Sequence, residues 1–275
     1  MAELEGKVAF ITGAARGQGR SHALALAREG AGIIAVDLCA QAPTVPYPMA
    51  TPEDLARTVK EVEELDRRII ATQADVRDLA ALAAAADAGV AELGRLDIVL
   101  ANAGISSPAP TLDMDEATWD EMIDINLTGV WKTVKATVPH IIRSGRGGSV
   151  VITSSLAAMT ATENIAHYTA AKAGLVGLMK VLAKELAPLS IRVNTVHPTT
   201  VATAMVLNEP TYRLFRPDLA NPTREDFEAA ARTLNKLPVP LVEPQDISRA
   251  IVYLVSEAGR YVTGTTHVVD AGGQL

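Results

Sequence analysis

Short apolar runs alternate with helical patterns along nearly the whole chain of 275 residues. The runs lie at residues 7–11, 32–37, 68–74, 96–100, 150–152, 191–196 and 265–269. They are rich in Val, Ile and Leu, which predicts strands that are buried on both faces. Strands that alternate with helices form a parallel sheet covered by helices on both sides. We therefore expect an α/β protein with a doubly wound parallel sheet of about seven strands in a single domain, residues 1–275.

A glycine-rich turn joins the first apolar run to the first helical pattern. The order of strand, turn and helix is the one that a phosphate-binding loop requires. Gly13 permits a tight turn, and Gly17 and Gly19 allow the backbone to approach a pyrophosphate. The helix that follows directs N–H groups and the positive end of its dipole toward the phosphates. The turn therefore predicts a dinucleotide site, with Arg16 and Gln18 in the same loop.

An acid at the end of the second run bears on the choice of cofactor. Asp37 lies about 20 residues beyond the loop, where a carboxylate binds the adenosine ribose and repels a 2′-phosphate. Arg16 favours NADP instead, since an arginine in the loop could bind a 2′-phosphate. No basic residue follows Asp37 at Leu38 or Cys39, however. The predicted cofactor is therefore NAD and not NADP.

Small and polar residues also follow the later runs. They are Asp75, Val76, Asn102, Ala103, Gly104, Ser155, His197 and Pro198. Open α/β sheets bind their ligands at the carboxyl ends of the strands. We therefore expect these residues to meet the glycine-rich loop along one edge of the sheet.

One helical segment carries two side chains that could take part in catalysis, Tyr168 and Lys172. The two residues are one helical turn apart and share a face of the helix. An isolated pair of this kind is more often a solvated surface feature. Free tyrosine has a pKa of about 10, which a nearby ammonium is expected to lower. Such a tyrosine could exchange a proton with an alcohol or ketone oxygen, and Ser155 could hold the same oxygen.

In this order and at these spacings, the motifs resemble those of the short-chain dehydrogenases/reductases over essentially the full chain. The resemblance implies a Rossmann-type fold in which Tyr168 is the catalytic acid/base. Lys172 would lower the pKa of Tyr168 and bind the nicotinamide ribose. Ser155 would position the reacting oxygen, and Asn126 would hold a water in a proton relay.

The resemblance also implies a set of cofactor-binding residues. They are Gly13, Arg16, Gly17, Gln18, Gly19, Asp37, Leu38, Asp75, Val76, Asn102, Ala103, Gly104, Tyr168, Lys172, Pro198, Val201 and Thr203. Three positions depart from the usual family pattern: Gln18 replaces an Ile, Ala101 an Asn, and Thr199 a Gly. None of these departures removes a catalytic residue.

A Pro-rich segment, residues 39–52, is longer than a usual strand-to-helix connection. From its composition alone it is either a binding loop or an insertion without a role. It resembles the insertion of the mycofactocin-associated, carveol-dehydrogenase-like branch of the family. That resemblance implies that residues 39–52 cover the adenosine half of NAD. It also implies that NAD does not exchange and that an external redox carrier, mycofactocin, reoxidises it. Residues 200–240 follow a strand end and form a candidate substrate lid.

The composition limits the classes of partner that the protein can bind and indicates its cellular compartment. The net charge of −7 and the absence of a basic patch argue against nucleic acid and membrane surfaces as partners. The single cysteine, Cys39, and the absence of a secretory leader or an apolar span predict a cytoplasmic protein. No metal site is predicted. The family resemblance implies a homo-oligomer, with a tetramer expected.

The combined interpretation is an NAD-dependent enzyme that oxidises a secondary alcohol to a ketone reversibly. The branch resemblance implies a small apolar substrate, such as the terpenoid alcohol carveol. One alternative is an NADPH-dependent 3-oxoacyl reductase of the same family. A second alternative, from another class, is a dinucleotide-binding sensor without catalytic activity.

Overall fold

Seven parallel strands form the expected sheet in a computed structural model that describes residues 2–275. They are β1 (Val8–Thr12), β2 (Gly32–Asp37), β3 (Ile69–Gln73), β4 (Ile98–Ala101), β5 (Gly148–Thr153), β6 (Ile191–Pro198) and β7 (Thr266–Val269). Their order across the sheet is β3-β2-β1-β4-β5-β6-β7. Successive strands are added on one side of β1 as far as β3, and on its other side from β4 onward. This change in strand order leaves a crevice at the carboxyl ends of β1 and β4.

Helices cover both faces of the sheet. They are α1 (Gly17–Arg28), α2 (Pro52–Glu63), α3 (Leu79–Leu93), α4 (Glu116–Ile123), α5 (Gly129–Ser144), α6 (Ala166–Leu186), α7 (Glu209–Phe215), α8 (Arg224–Leu234) and α9 (Pro244–Val255). Successive β1 residues enter different cores: Phe10 packs on the side of α3, α5 and α6, and Ile11 on the side of α1 and α9. The predicted fold class is therefore confirmed. Across residues 2–275, no helix is both long and apolar enough to cross a membrane.

The sequence favours a single helix over residues 115–144, with Asn126 in its interior, but this helix is interrupted. A π-helical segment, Asp124–Thr128, separates α4 from α5. Asn126 is fully buried there, and its amide exchanges two hydrogen bonds with the backbone of Ile105. Segments of this kind are often found at functional sites. Here the π-helical segment places a polar side chain inside the protein, behind the loop that follows β4.

The Pro-rich segment has no helix or strand, yet it is packed. Ala42, Val45 and Tyr47 are almost fully buried and belong to the core beneath α3 and α5. Gln41 organises the segment, because its Nε2 donates to the Val45 carbonyl at 2.9 Å and its Oε1 accepts from the Met49 N–H at 3.1 Å. The segment is therefore an ordered part of the fold, which argues against the alternative of an insertion without a role.

Two helices in the candidate lid were missed by the sequence interpretation. Proline in the first turn of α7 is compatible with a helix, because its missing N–H has no partner there in any case. Thr223 starts α8 with a capping box closed by Asp226. The two helices meet at Phe227, whose ring lies 4.9 Å from that of Phe215. An aromatic contact therefore fixes the outer part of the lid.

Candidate active site

A cavity of about 350 Å³ opens at the carboxyl ends of β1, β2 and β4. It brings together most of the predicted cofactor residues: Gly13, Arg16, Gly17, Gln18, Gly19, Asp37, Leu38, Asp75, Val76, Asn102, Ala103, Gly104 and Thr203. The others, Tyr168, Lys172, Pro198 and Val201, line a smaller adjoining cavity. The predicted edge of the sheet is thus a continuous site.

The glycine-rich loop lies against the backbone of its neighbours. Gly13 has a φ of +68°, and a Cβ there would lie 3.0 Å from the Ala103 Cα. A Cβ on Gly19 would lie 1.9 Å from the Gly13 carbonyl oxygen, where no side chain fits. These contacts explain why glycine is needed, and they leave the start of α1 open to a phosphate group.

The carboxylate of Asp37 is fixed at the rim of this cavity. Its two oxygens accept hydrogen bonds from the N–H groups of Ala15, at 2.9 Å, and Cys39, at 3.1 Å. Gln18 Oε1 is buried and has no hydrogen-bond partner within the described chain. The site therefore fits a dinucleotide, with a fixed acid for the ribose and a free acceptor beside the loop.

The Pro-rich segment forms the roof of the cofactor cavity through Tyr47, Met49 and Ala50. The Tyr47 hydroxyl accepts a hydrogen bond from the Ser106 N–H at 3.2 Å, and burial raises the pKa of Tyr47 to about 12. Its phenol is therefore neutral at physiological pH. The sequence interpretation missed Tyr47. Its only signal was a lone aromatic residue between two prolines.

A charged network ties this roof to α4 and to the cofactor cavity. The Thr44 N–H and hydroxyl both donate to one Glu121 oxygen, at 3.0 and 2.6 Å. Arg77 donates to the other Glu121 oxygen at 3.0 Å and to Asp75 at 2.7 and 2.8 Å. Burial raises the pKa of Asp75, but the hydrogen bonds from Arg77 outweigh burial and leave it below its usual value. The roof and Asp75 are thus held by one set of interactions.

Three of the predicted catalytic residues meet in the adjoining cavity of about 90 Å³. Ser155 follows β5, and its side chain and the Tyr168 phenol both line this cavity. Lys172, one turn further along α6, donates from Nζ to the Thr153 carbonyl at 2.8 Å. Its Nζ lies 5.6 Å from the centre of the Tyr168 ring. A serine, a tyrosine and a lysine therefore surround one small space beside the dinucleotide cavity.

The expected lowering of the Tyr168 pKa is wrong for this arrangement. Desolvation of the partly buried phenol raises its pKa, and the hydrogen bond to Ser155 offsets only part of the rise. Lys172 is itself 3% exposed, and burial lowers its pKa from 10.5 to about 8. Burial thus acts against both charged forms, because a phenolate and an ammonium both lose solvation.

Asn126 stands apart from the other catalytic candidates. It lines neither cavity, and both ends of its amide are bonded to Ile105. It lies directly behind the wall of the site, since a Cβ on Gly104 would be 3.2 Å from Asn126 Oδ1 and 3.4 Å from Lys172 Nζ. Its place in a proton relay stays a prediction. What its side chain does is fix the loop after β4.

Comparison with known proteins gives the family. A family model described as short chain dehydrogenase matches residues 7–212. The chain belongs to the short-chain dehydrogenase family. Over 276 residues, it is 57% identical to (-)-trans-carveol dehydrogenase of Rhodococcus erythropolis, with both chains fully covered. A crystal structure of carveol dehydrogenase from Mycobacterium avium in complex with NAD has a TM-score of 0.98 and 54% identity, with 99% of each chain covered.

The same comparisons bear on the alternatives. A 3-oxoacyl-(acyl-carrier-protein) reductase of Thermotoga maritima is 34% identical over 270 residues, with 98% of each chain covered. This dehydrogenase is therefore much more similar to carveol dehydrogenase than to that reductase. The predicted family and the resemblance to its carveol-dehydrogenase-like branch are confirmed, and neither alternative is favoured.

The low pKa of Lys172 predicts a pH-dependent stability. Between about pH 8 and 10.5 the unfolded chain binds more protons at this residue than the folded chain, so the free energy of unfolding rises with pH. Relative to Lys172→Met, the wild type should gain up to about 3 kcal/mol over this range. Urea titrations at several pH values measure the difference. The exposed Lys180→Met is the control, and a flat difference for Lys172→Met would contradict the prediction.

Proposed function

We propose that this protein catalyses the reversible NAD-dependent oxidation of a small, apolar secondary alcohol, such as carveol, to its ketone. The observation that carries the proposal is that Ser155, Tyr168 and Lys172 line one small cavity, at the end of a larger cavity that fits a dinucleotide. The similarity to carveol dehydrogenase, in one case solved with NAD, supports both the reaction and the cofactor.

Each catalytic side chain has a role that follows from its surroundings. NAD, when bound, would supply the hydride acceptor for the alcohol, and its reduced form would supply the hydride for the ketone. Ser155 donates a hydrogen bond to the substrate oxygen, and Tyr168 exchanges the proton at that oxygen. Because the pKa of Tyr168 is raised, the phenol is protonated at neutral pH and ready to donate to a ketone. Lys172 holds the end of β5 and adds positive charge near the phenol.

The walls of the small cavity suit an apolar substrate. Ile105, Val201, Met205 and Val206 line it beside the catalytic groups. Phe215, which also belongs to the candidate lid, packs against Phe227 and does not line this cavity. The inner part of residues 200–240 therefore contacts the substrate, whereas α7 and α8 brace it from outside.

The roof supports a second part of the proposal, that NAD remains bound through many turnovers. Tyr47 is 5% exposed, and the Thr44 hydroxyl of the roof donates to Glu121 of α4, which Arg77 also binds. Release of NAD through the roof requires these contacts to break. An external carrier of the mycofactocin type would then reoxidise the cofactor in place.

We further propose a cytoplasmic homotetramer. The exposed large apolar side chains include Trp131 and Ile142 on α5, Val181 on α6, and Tyr253 on α9. Association of like subunits would cover them. Cys39 is a free, buried thiol, which suits a reducing compartment.

Replacing the catalytic hydroxyl tests the reaction itself. Tyr168→Phe should reduce kcat for carveol oxidation by about 10³-fold, because the proton exchange is lost. The NAD content, measured by mass after denaturation, should not change. Tyr261→Phe, at a residue 88% exposed, is the matched control. Wild-type turnover in Tyr168→Phe would exclude Tyr168 as the acid/base.

The roof predicts that NAD copurifies with the protein. Denaturing the purified wild type should release nearly one NAD per chain. Tyr47→Ala should release much less after the same purification, because it removes a buried phenol that anchors the roof. Tyr261→Ala serves as the control. An empty wild-type protein would overturn tight retention, and bound NADP would overturn the role given to Asp37.

Light scattering tests the assembly. The wild type should have about four times the mass of one 28.9 kDa chain. Val181→Lys should give a smaller assembly, because it places a charge on the exposed apolar face of α6. Leu112→Lys changes a residue that is 98% exposed and should leave the mass unchanged. A monomeric wild type would contradict the proposal.

A further inference from the structure

A buried histidine connects the end of β6 to the catalytic serine. His197 is fully buried. Its Nδ1 lies 2.9 Å from the carbonyl oxygen of Ser155, and its Nε2 lies 2.8 Å from the Thr195 hydroxyl oxygen. The imidazole therefore bridges a catalytic residue just beyond β5 and a buried hydroxyl on β6.

The chemistry of these two partners fixes the tautomer of His197. A carbonyl oxygen can only accept, so Nδ1 carries the proton and donates it to Ser155. Burial lowers the pKa of His197, and the nearby charge of Lys172 lowers it further against the opposing effect of the Ser155 bond. The ring is thus neutral, and Nε2 accepts from the Thr195 hydroxyl. Both ring nitrogens are held, which leaves the ring one orientation.

Ser155 needs such support because it lies beyond the sheet. The backbone ladder between β5 and β6 ends where the Ser154 N–H donates to the Val196 carbonyl. Past that point, the Ser155 carbonyl accepts from His197 and from the Ala158 N–H at 3.1 Å. His197 therefore replaces the next rung of the ladder at the residue where the catalytic hydroxyl begins.

We propose that His197 is a positioning residue for the reaction: its Nδ1–H holds the Ser155 backbone so that the Ser155 hydroxyl faces both Tyr168 and the substrate oxygen. This inference rests on the proposed alcohol–ketone chemistry. It assigns His197 no proton transfer and no contact with substrate. A small displacement of the serine hydroxyl would reduce the rate without affecting the dinucleotide cavity, which His197 does not line.

The test compares two substitutions at this position. The His197→Asn amide places an N–H near the position of Nδ1 and preserves the bond to Ser155, whereas His197→Leu removes it. His197→Leu should lower kcat for carveol by about 10- to 100-fold with unchanged copurified NAD. His197→Asn should recover most of the rate. Equal rates in wild type and His197→Leu, or equal losses in both variants, would overturn the proposal.

Two further variants separate positioning from packing. Thr195→Val leaves the ring with one partner and should lower kcat several-fold, even if His197→Leu does not fold. Val193→Ala removes buried volume from the same strand, far from Ser155 in the register, and should lower Tm without changing kcat. An unchanged rate in Thr195→Val would contradict the proposal.

A spectroscopic measurement keeps this inference distinct from the proposed function. Nitrogen NMR of the His197 ring should show a protonated Nδ1 and an unprotonated Nε2 in the wild type. A ring protonated at Nε2 would overturn the positioning role, whatever the substrate. Conversely, a wild type that carries the expected tautomer but oxidises no alcohol would refute the proposed function alone.

Discussion

The site depends on a chain of hydrogen bonds that joins three strands at their carboxyl ends. The Thr12 hydroxyl accepts the N–H groups of Asn102 and Ala103, and the Asn102 amide donates back to the Thr12 carbonyl. Thr153 completes the chain by donating to Asn102 at 3.3 Å. These bonds thus hold β1, β4 and β5 in register at the carboxyl ends that border the ligand cavity. A parallel sheet has no ladder past its last residue, so polar side chains continue it.

The catalytic cavity lies at this rigid edge of the sheet, and its buried environment disfavours charged side chains. Lys172 and Tyr168 share a helix face, and burial disfavours the charged form of each. The Thr153 carbonyl binds the ammonium, and Ser155 lines the same cavity as the phenol. The resting site therefore favours a neutral tyrosine beside a lysine that loses its proton more easily than a free lysine. Such a pair changes protonation readily when a charged group approaches, which suits a step in which a proton moves with a hydride.

The sequence predicted the strands that border the site better than the pKa values and long-range contacts within it. Apolar runs and strand-end residues are local signals, so the seven strands and the residues that follow them could be predicted from the sequence, and the family resemblance added the rest of the expected cofactor residues. The pKa of Tyr168 could not, because it depends on burial by distant segments. Tyr47 and His197 were missed as participants for the same reason: their partners, Ser106 and Thr195 with Ser155, are set by packing and by strand pairing. The helices of the lid were hidden by prolines that in fact begin one of them.

The packed roof has a consequence for the order of events during turnover. Residues 39–52 contribute to the same hydrophobic core as β1 and α5, so opening the roof is coupled to partial unfolding of that core. A cofactor that stays beneath it behaves as a prosthetic group. Under the proposed retention of NAD, alcohol and electron acceptor would react in turn, each leaving before the other arrives. The fold would in this way impose a double-displacement sequence on chemistry that related dehydrogenases can perform with both reactants bound together.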